Sequence, residues 1–255
     1  MTYTFDFSSF GIYAGLLARG AAVTLGLTAL ATLLGAALGI AGACASIAGP
    51  RALRALIAAY VELIRNTPFV VQLFFVFFGL PSLGVHIDEI QAAVLAMTVN
   101  LGAYATEIVR AGIDSVPRGQ LLAAQALGLQ QRQIFRHVVL PQALANVFPA
   151  LVGQVLIVML GSAVVSQISV PDLTYAASYI QSRNFRSFET YLIITAAYLA
   201  LSIVLRQLMN RLGARLFAGR APRGGGTAGH AGAGWRARFA WRSNGSHNLP
   251  TEPGR

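Results

Sequence analysis

The sequence contains no lysine: all 19 of its basic residues are arginine. A phosphate-binding loop of the G-x-x-x-x-G-K-[ST] kind therefore cannot be built, and Schiff-base chemistry lacks its amine. Cys44 is the single cysteine, so neither an internal disulfide nor a cysteine zinc cage is available. The four histidines (His86, His137, His230, His247) are far apart, with no carboxylate at metal-ligand spacing. No catalytic residue, metal or cofactor is expected, and any ATP this chain depends on must be held by another subunit. Charge of either sign is scarce as well. Charged residues make up 11%, against about 25% in soluble chains. With 55% apolar residues and a mean hydropathy of +0.61, the composition is that of a membrane protein.

Long uncharged runs fill the space that charge leaves. Residues 20–50 carry none, and about 20 apolar residues suffice to cross the hydrocarbon core. Further runs cover 66–87, 90–106, 137–170 and 190–205. Pro141 and Pro149 interrupt the fourth, so its helix is expected to start near Gln142. Five transmembrane helices are predicted in an all-α chain. The first run is too long, and too poorly preceded by positive charge, to be a cleavable signal. The segment between the fourth and fifth runs, 167–189, reads as a loop. Cys44, inside the first run, reads as packing.

Arginines alternate in number along the segments outside these runs. One set of alternate segments holds three and the other sixteen, or ten without the six beyond residue 218. The positive-inside rule then predicts a periplasmic N-terminus and a cytoplasmic C-terminus in a multi-pass protein of a bacterial inner membrane. Three divisions are expected: a periplasmic segment 1–19, a transmembrane domain 20–217 and a disordered Gly/Arg-rich cytoplasmic tail 218–255.

The connection from Asp114 to Pro141 is long for a link between helices. Val116-Pro117-Arg118-Gly119 reads as a turn, residues 120–127 as a helix stopped by Gly128, and residues 130–139 as a second short helix ending at Leu140-Pro141. Ala123-Ala124, Gly128 and Val138-x-Leu140-Pro141 resemble the "E-A-A, G, I-x-L-P" signature of permease subunits of bacterial ABC importers. Two flanking segments are similar to the polar amino-acid branch of that family (histidine, glutamine and arginine permeases). They are Glu62-x-x-Arg65-Asn66-Thr67-Pro68, at the entry to the second helix, and Tyr104-x-x-Glu107 through Pro117-Arg118-Gly119, at the exit of the third. The resemblance spans residues 15–217.

That resemblance implies an all-α permease with a cytoplasmic coupling-helix loop, importing a polar amino acid by alternating access. The chain would not be an enzyme; hydrolysis would belong to an ABC ATPase subunit. The coupling residues would be Gln120, Leu122, Ala123, Ala124, Leu127, Gly128 and Leu129. Other partners would be a second permease chain (a copy of this one or a similar one), a periplasmic solute-binding protein and the lipid membrane; no nucleic acid is expected. Three positions depart from the family pattern. Leu122 replaces the glutamate of the triplet, Asn66 replaces a glycine, and Leu160-Gly161 stand where relatives often carry charge. The last departure favours a heterodimer in which the other chain makes the charged contacts. An importer of an osmolyte or other small solute is the alternative cargo. A secondary transporter or channel is the rival class, but matched inverted repeats are not seen.

Candidate substrate-path residues are Glu62, Arg65, Thr67, Pro68, Gln72, Ser162, Ser166 and Gln167. Glu62 and Arg65 stand at i, i+3, as do Glu107 and Arg110, so each pair can meet on a helix face. The polar side chains in apolar runs suit either a path or hydrogen bonding between helices. His137 reads as structural.

Overall fold

The computed structural model describes residues 5–217; the tail 218–255 lies outside them. A 3-10 turn, Ser8–Tyr13, leads into α1, Ala14–Ala48, which thus begins inside the segment 1–19. The chain continues through α2 (Arg51–Arg65), α3 (Phe69–Ser82), α4 (Glu89–Asp114), α5 (Arg118–Ala126) and α6 (Gln131–Ile134). After a π-turn, Phe135–Val139, come α7 (Leu140–Gly161), a 3-10 turn (Ser162–Ile168), α8 (Leu173–Asn184) and α9 (Ser187–Leu216).

The centre of the fold is a seam between α1 and α4 built from small residues. A Cβ on Gly39 would overlap Ala105 Cβ and lie 3.0 Å from the Ala105 carbonyl carbon. One on Gly42 would sit 2.5 Å from Thr106 Oγ1, and one on Gly35 2.9 Å from Leu101 Cβ. In a bilayer the lipid tails are as apolar as leucine, so close backbone approach through small residues is what holds two helices together. The partners advance in the same direction, Gly35 to Leu101 and then Gly39 to Ala105, so α1 and α4 run parallel. Two parallel spans need a return crossing between them. Only α2 and α3 are available to make it.

Neither does so alone. The 14 residues of α3 rise only about 21 Å, against a hydrocarbon core of about 30 Å. The second uncharged run, 66–87, does not form a crossing by itself: the span is a pair, α2 and α3, bent by 109° at Asn66-Thr67-Pro68. Proline after a residue biased toward extended geometry stops α2 and opens α3. Counted as one broken span, the pair brings the crossings to five, with the two ends of the described chain on opposite faces. α7 packs against α4 in the opposite sense, through Gly112 with Ala143 and Val147, and Asn146 with Ser115. α9 returns beside α7, with Gly213 seated against Phe148.

Two further expectations are corrected. The helix of the fourth run does not start near Gln142, nor does a short helix end at Leu140-Pro141: helical structure is continuous over 131–168. The π-turn directly before Pro141 widens the backbone where the ring would crowd the preceding carbonyls, and the missing N–H falls in the first turn of α7. Pro149 is accommodated inside α7. The segment 167–189 is not an open loop, because it contains α8. Leu173, Ala176, Ala177 and Ile180 of α8 are buried against the body of the protein. Cys44, read as packing, is exposed on α1.

Candidate functional site

The long connection between α4 and α7 is built around α5. Pro117 precedes its first residue in extended geometry, Val116 and Ala124 are buried, and α5 packs against α6 and the π-turn. Gln120 and Leu129 are half-buried at its two ends. The C-terminus closes as a Schellman motif. The Leu129 N–H donates to the Ala124 carbonyl (3.2 Å) and the Gly128 N–H to the Gln125 carbonyl (2.9 Å), with Gly128 left-handed at φ +74°. Leu122, Ala123, Ala126 and Leu127 share the outward face, at helical spacing i, i+1, i+4, i+5. Leu127 is 79% exposed and Leu122 57%. Apolar side chains so placed on a capped helix lie outside the chain's own core. Leu122 points away from the fold, so the leucine found there does not disturb the chain's own packing.

The second constellation is the bend between α2 and α3. Its backbone carbonyls are taken up by side chains. Thr67 Oγ1 donates to the Leu63 carbonyl (2.9 Å), and Asn66 Nδ2 to the Glu62 carbonyl (2.8 Å). Gln72 Nε2 reaches the Ile64 carbonyl (2.8 Å), the Thr67 carbonyl (3.0 Å) and Thr67 Oγ1 (2.8 Å), while its Oε1 accepts from Asn100 Nδ2 of α4 (2.9 Å). The Tyr60 hydroxyl donates to the Val99 carbonyl (2.6 Å). Both anchors lie near the middle of α4, so the bend sits at mid-height of that helix. Gln72 is thus committed to holding the bend.

The two charge pairs behave differently. Glu107 and Arg110 are ion-paired, and Arg110 reaches on to Asp114 (3.3 Å). Glu62 and Arg65 do not meet. Arg65 lies over the Tyr104 ring at 5.5 Å, and the Glu62 carboxylate accepts from Asn66 Nδ2 (3.2 Å). Both are exposed, and among the described residues neither has an ion-pair partner.

Ser162, Ser166 and Gln167 lie on the turn after α7 and do not join this bend. Ser162 is fully buried and donates to the Met159 carbonyl (2.7 Å); Ser166 donates to the Ala163 carbonyl (2.8 Å); Gln167 is exposed. His137 is exposed, with Nδ1 3.1 Å from the Gln133 carbonyl. Leu160 is exposed on α7.

On the opposite face from α5, buried Asp172 caps α8 by accepting from the Tyr175 N–H (2.8 Å), and the Tyr198 hydroxyl reaches its other oxygen (3.3 Å). Removal from water raises its pKa above the usual 3.8, with the Tyr175 and Thr174 N–H groups and the Tyr198 hydroxyl working against that rise. The Leu173 N–H donates to Thr24 Oγ1 of α1 (3.2 Å). Nearby, Arg186 pairs with Asp6 (3.5 Å) and with fully buried Glu189 (3.0 Å). Sequence reasoning did not single out Asn100, and it gave no role of their own to Tyr104 and Asp172. Asn100 could have been found as a polar residue in the middle of the third apolar run.

Residues 31–218 match the family described as "Binding-protein-dependent transport system inner membrane component". The "Probable glutamine ABC transporter permease protein GlnM" of Bacillus subtilis (strain 168) is 37% identical over 179 residues, 70% of this chain and 83% of that protein. The glutamine transport system permease protein of Escherichia coli (strain K12) is 33% identical over 214 residues, 83% of this chain and 98% of its own. Among solved structures, one described as "Crystal structure of an amino acid ABC transporter with histidines" aligns at a TM-score of 0.78 and 37% identity, covering 84% of this chain and all of the other.

Proposed function

The chain belongs to the family of binding-protein-dependent inner-membrane transport components, and on that premise we propose that it is the permease subunit of an ATP-driven importer for a polar amino acid. The observation that carries the cargo half of this reading is the bend between α2 and α3. Glu62 and Arg65 stand exposed on the last turn of α2, opposite in charge and not paired with each other. A free amino acid is a zwitterion. Its carboxylate suits the planar guanidinium fork of Arg65, and its ammonium suits the Glu62 carboxylate. A helix broken near the bilayer middle is where transporters commonly hold their solute. Thr67 and Pro68 shape that break and Gln72 holds it, whereas Ser166 and Gln167 are assigned to the outer end of the path and fully buried Ser162 supports the turn beneath them.

Energy enters through α5. Its exposed apolar face suits a groove in a separate ATPase subunit, with Gln120 and Leu129 bounding the contact and Gly128 fixing its end. Hydrolysis takes place in that subunit, so the chain itself is not an enzyme. The arginine-rich face containing α5 is cytoplasmic, which makes residues 1–19 periplasmic and 218–255 a cytoplasmic tail on a permease domain of 20–217. A second permease chain completes the path. Leu160 and Gly161 favour a different chain there, one that supplies the charge this subunit lacks at those positions.

The test is reconstitution. The chain, co-purified with its ATPase and second permease, is placed in proteoliposomes and assayed for ATP-dependent uptake of labelled glutamine, arginine and an uncharged osmolyte. Amino-acid uptake that falls at least tenfold in both Arg65→Ala and Glu62→Gln is expected. Uptake of the osmolyte alone, or purification without any ATPase, overturns the reading.

A further inference from the structure

Between the bend and the end of α4 that leads into α5, four charged side chains follow one another with alternating sign. Arg65, on the last turn of α2, lies over the Tyr104 ring at 5.5 Å. Glu107 stands one turn further along α4 than Tyr104, and the charge of Arg65 acts on its carboxylate together with that of Arg110. Arg110 holds Glu107 by a fork: Nε donates to Oε2 (3.1 Å) and Nη2 to Oε1. Its Nη1 reaches on to Asp114 Oδ2 (3.3 Å). The charges therefore run positive, negative, positive, negative, and each attracts the next.

Depth gives this ladder its meaning. By helical rise Glu107 lies about 10 Å beyond Asn100 and Arg110 about 15 Å, both still within α4. Their side chains are 33% and 34% exposed. Ionised groups inside a membrane face protein or a wetted cavity, not lipid, so this exposed third opens on the cleft that Glu62 and Arg65 share. The cleft thus holds a paired set of charges beyond an unpaired one. A cargo carboxylate gripped by the Arg65 fork must also be let go, and charge-assisted contacts of that kind are about twice as strong as neutral hydrogen bonds. Once the cargo departs, the face of Tyr104 offers Arg65 only a cation–π contact, and Glu62 is turned to Asn66 Nδ2 (3.2 Å). Glu107 meets the guanidinium by leaving Arg110, which keeps Asp114. The exchange turns an Arg110–Glu107 pair into an Arg65–Glu107 pair and strands no charge.

We propose that Glu107 is the release residue of the importer: its carboxylate replaces the cargo carboxylate on Arg65 as the amino acid leaves on the α5 side, while Asp114 retains Arg110. The proposal rests on the importer reading and on Arg65 as the contact for the cargo carboxylate. Glu107 acts through Arg65 and does not itself touch the cargo, so it is a positioning residue. Without its charge the cargo is held longer, and binding tightens as turnover falls. A merely structural ion pair along α4 behaves otherwise, since its loss weakens binding and turnover together.

Glu107→Gln keeps the size of the side chain and a carbonyl for Arg110 while removing the charge. The assembled transporter in nanodiscs, without nucleotide, is titrated with labelled glutamine or arginine, whichever the wild type imports, and ATP-driven uptake is measured in proteoliposomes. The Kd should fall at least threefold, and the dissociation rate with it, while the maximal uptake rate falls at least fivefold. Glu107→Asp should restore at least half of that rate. Asp114→Asn should also slow uptake, because Arg110 then keeps Glu107 to itself. Should Glu107→Gln fail to assemble, wild-type uptake in Asp114→Asn overturns the proposal. In an Arg65→Ala background Glu107→Gln should change uptake less than twofold further. Uptake within twofold of the wild type in Glu107→Gln, or slower uptake with unchanged or weaker binding, overturns the release role and leaves the importer reading intact. An undiminished effect of Glu107→Gln in the Arg65→Ala background overturns it as well, by removing the link through Arg65. A wild-type complex that imports no amino acid refutes the importer reading itself, and this inference with it.

Discussion

Gly128 offers a clean test of whether the shape of α5, rather than its chemistry, transmits force. Its φ of +74° is left-handed, and nothing lies within 4 Å of where a Cβ would sit. Substitution therefore meets no steric obstacle within the chain, and its cost is set by the backbone. For an L-residue that cost is about 1–2 kcal/mol, with asparagine penalised less and β-branched residues more. A penalty of that size lowers the population of the capped end by about 5–30-fold and releases the two closing hydrogen bonds of the motif. The protein should still fold and insert, because α5 contributes little to the core. Coupling should weaken in the order Gly, Asn, Ala, Val. The assay is the ratio of amino acid imported to ATP hydrolysed in proteoliposomes, measured for each variant at equal incorporation. A valine variant with the wild-type ratio would refute the role given to the cap. Asparagine as damaging as valine would refute the backbone argument differently, by showing that a partner surface fills the space open in the isolated chain.

Three further outcomes are expected. Gly39→Val drives a side chain into Ala105 and its backbone, so the protein should lose its monodisperse peak in fluorescence-detected size exclusion; Ala105→Gly should partly rescue Gly39→Ala, which meets mainly the Ala105 Cβ. Gln72→Met strands the Ile64 and Thr67 carbonyls and the Asn100 amide at a cost of about 2 kcal/mol, lowering the melting temperature by about 4–8 °C and slowing uptake. A Gln72→Met variant with wild-type melting and uptake would count against the bend as a held structure. Asp172 has a raised pKa in the folded protein, so its favourable contribution is complete below the ordinary 3.8 and is lost as pH rises through the folded value. Asp172→Asn keeps an acceptor for the Tyr175 N–H without that desolvation cost. A thermal-shift series should therefore show less loss of stability with rising pH in the variant, and parallel curves would exclude Asp172 as the source.

Much of the frame is legible in the chain because bilayers impose a coarse code. Uncharged runs of span length mark the crossings, and Gly128 after a helix-forming stretch marks a cap. The parts that were not legible share a physical reason: they depend on contacts between distant segments. The α2–α3 break looks like a mild kink after Pro68 until Asn100 and Val99 are seen to anchor it. α8 is hard to read because its buried face holds only two large aliphatics, Leu173 and Ile180, with alanines between them, and the tyrosines and serines that make up the rest resemble a loop. Pro141 signals an end that a single widened turn abolishes. Glu62 and Arg65 have the spacing of an ion pair, yet the nearby face of Tyr104 draws the guanidinium away.

The glycine seam also says something about how displacement crosses the bilayer. α1 is 35 residues long, about 52 Å of continuous helix. Gly42 locks it to Thr106 toward the end of α4 that leads into α5, and Gly20 presses it against the backbone of Asp172 and Leu173 at the start of α8. Gly20 meets backbone and Gly42 meets only the short Thr106 side chain, so little compliant material lies between these surfaces, and packed interiors of that kind transmit strain instead of absorbing it. α1 is therefore a strut, and a push delivered at one face of the membrane arrives at the other with little slack.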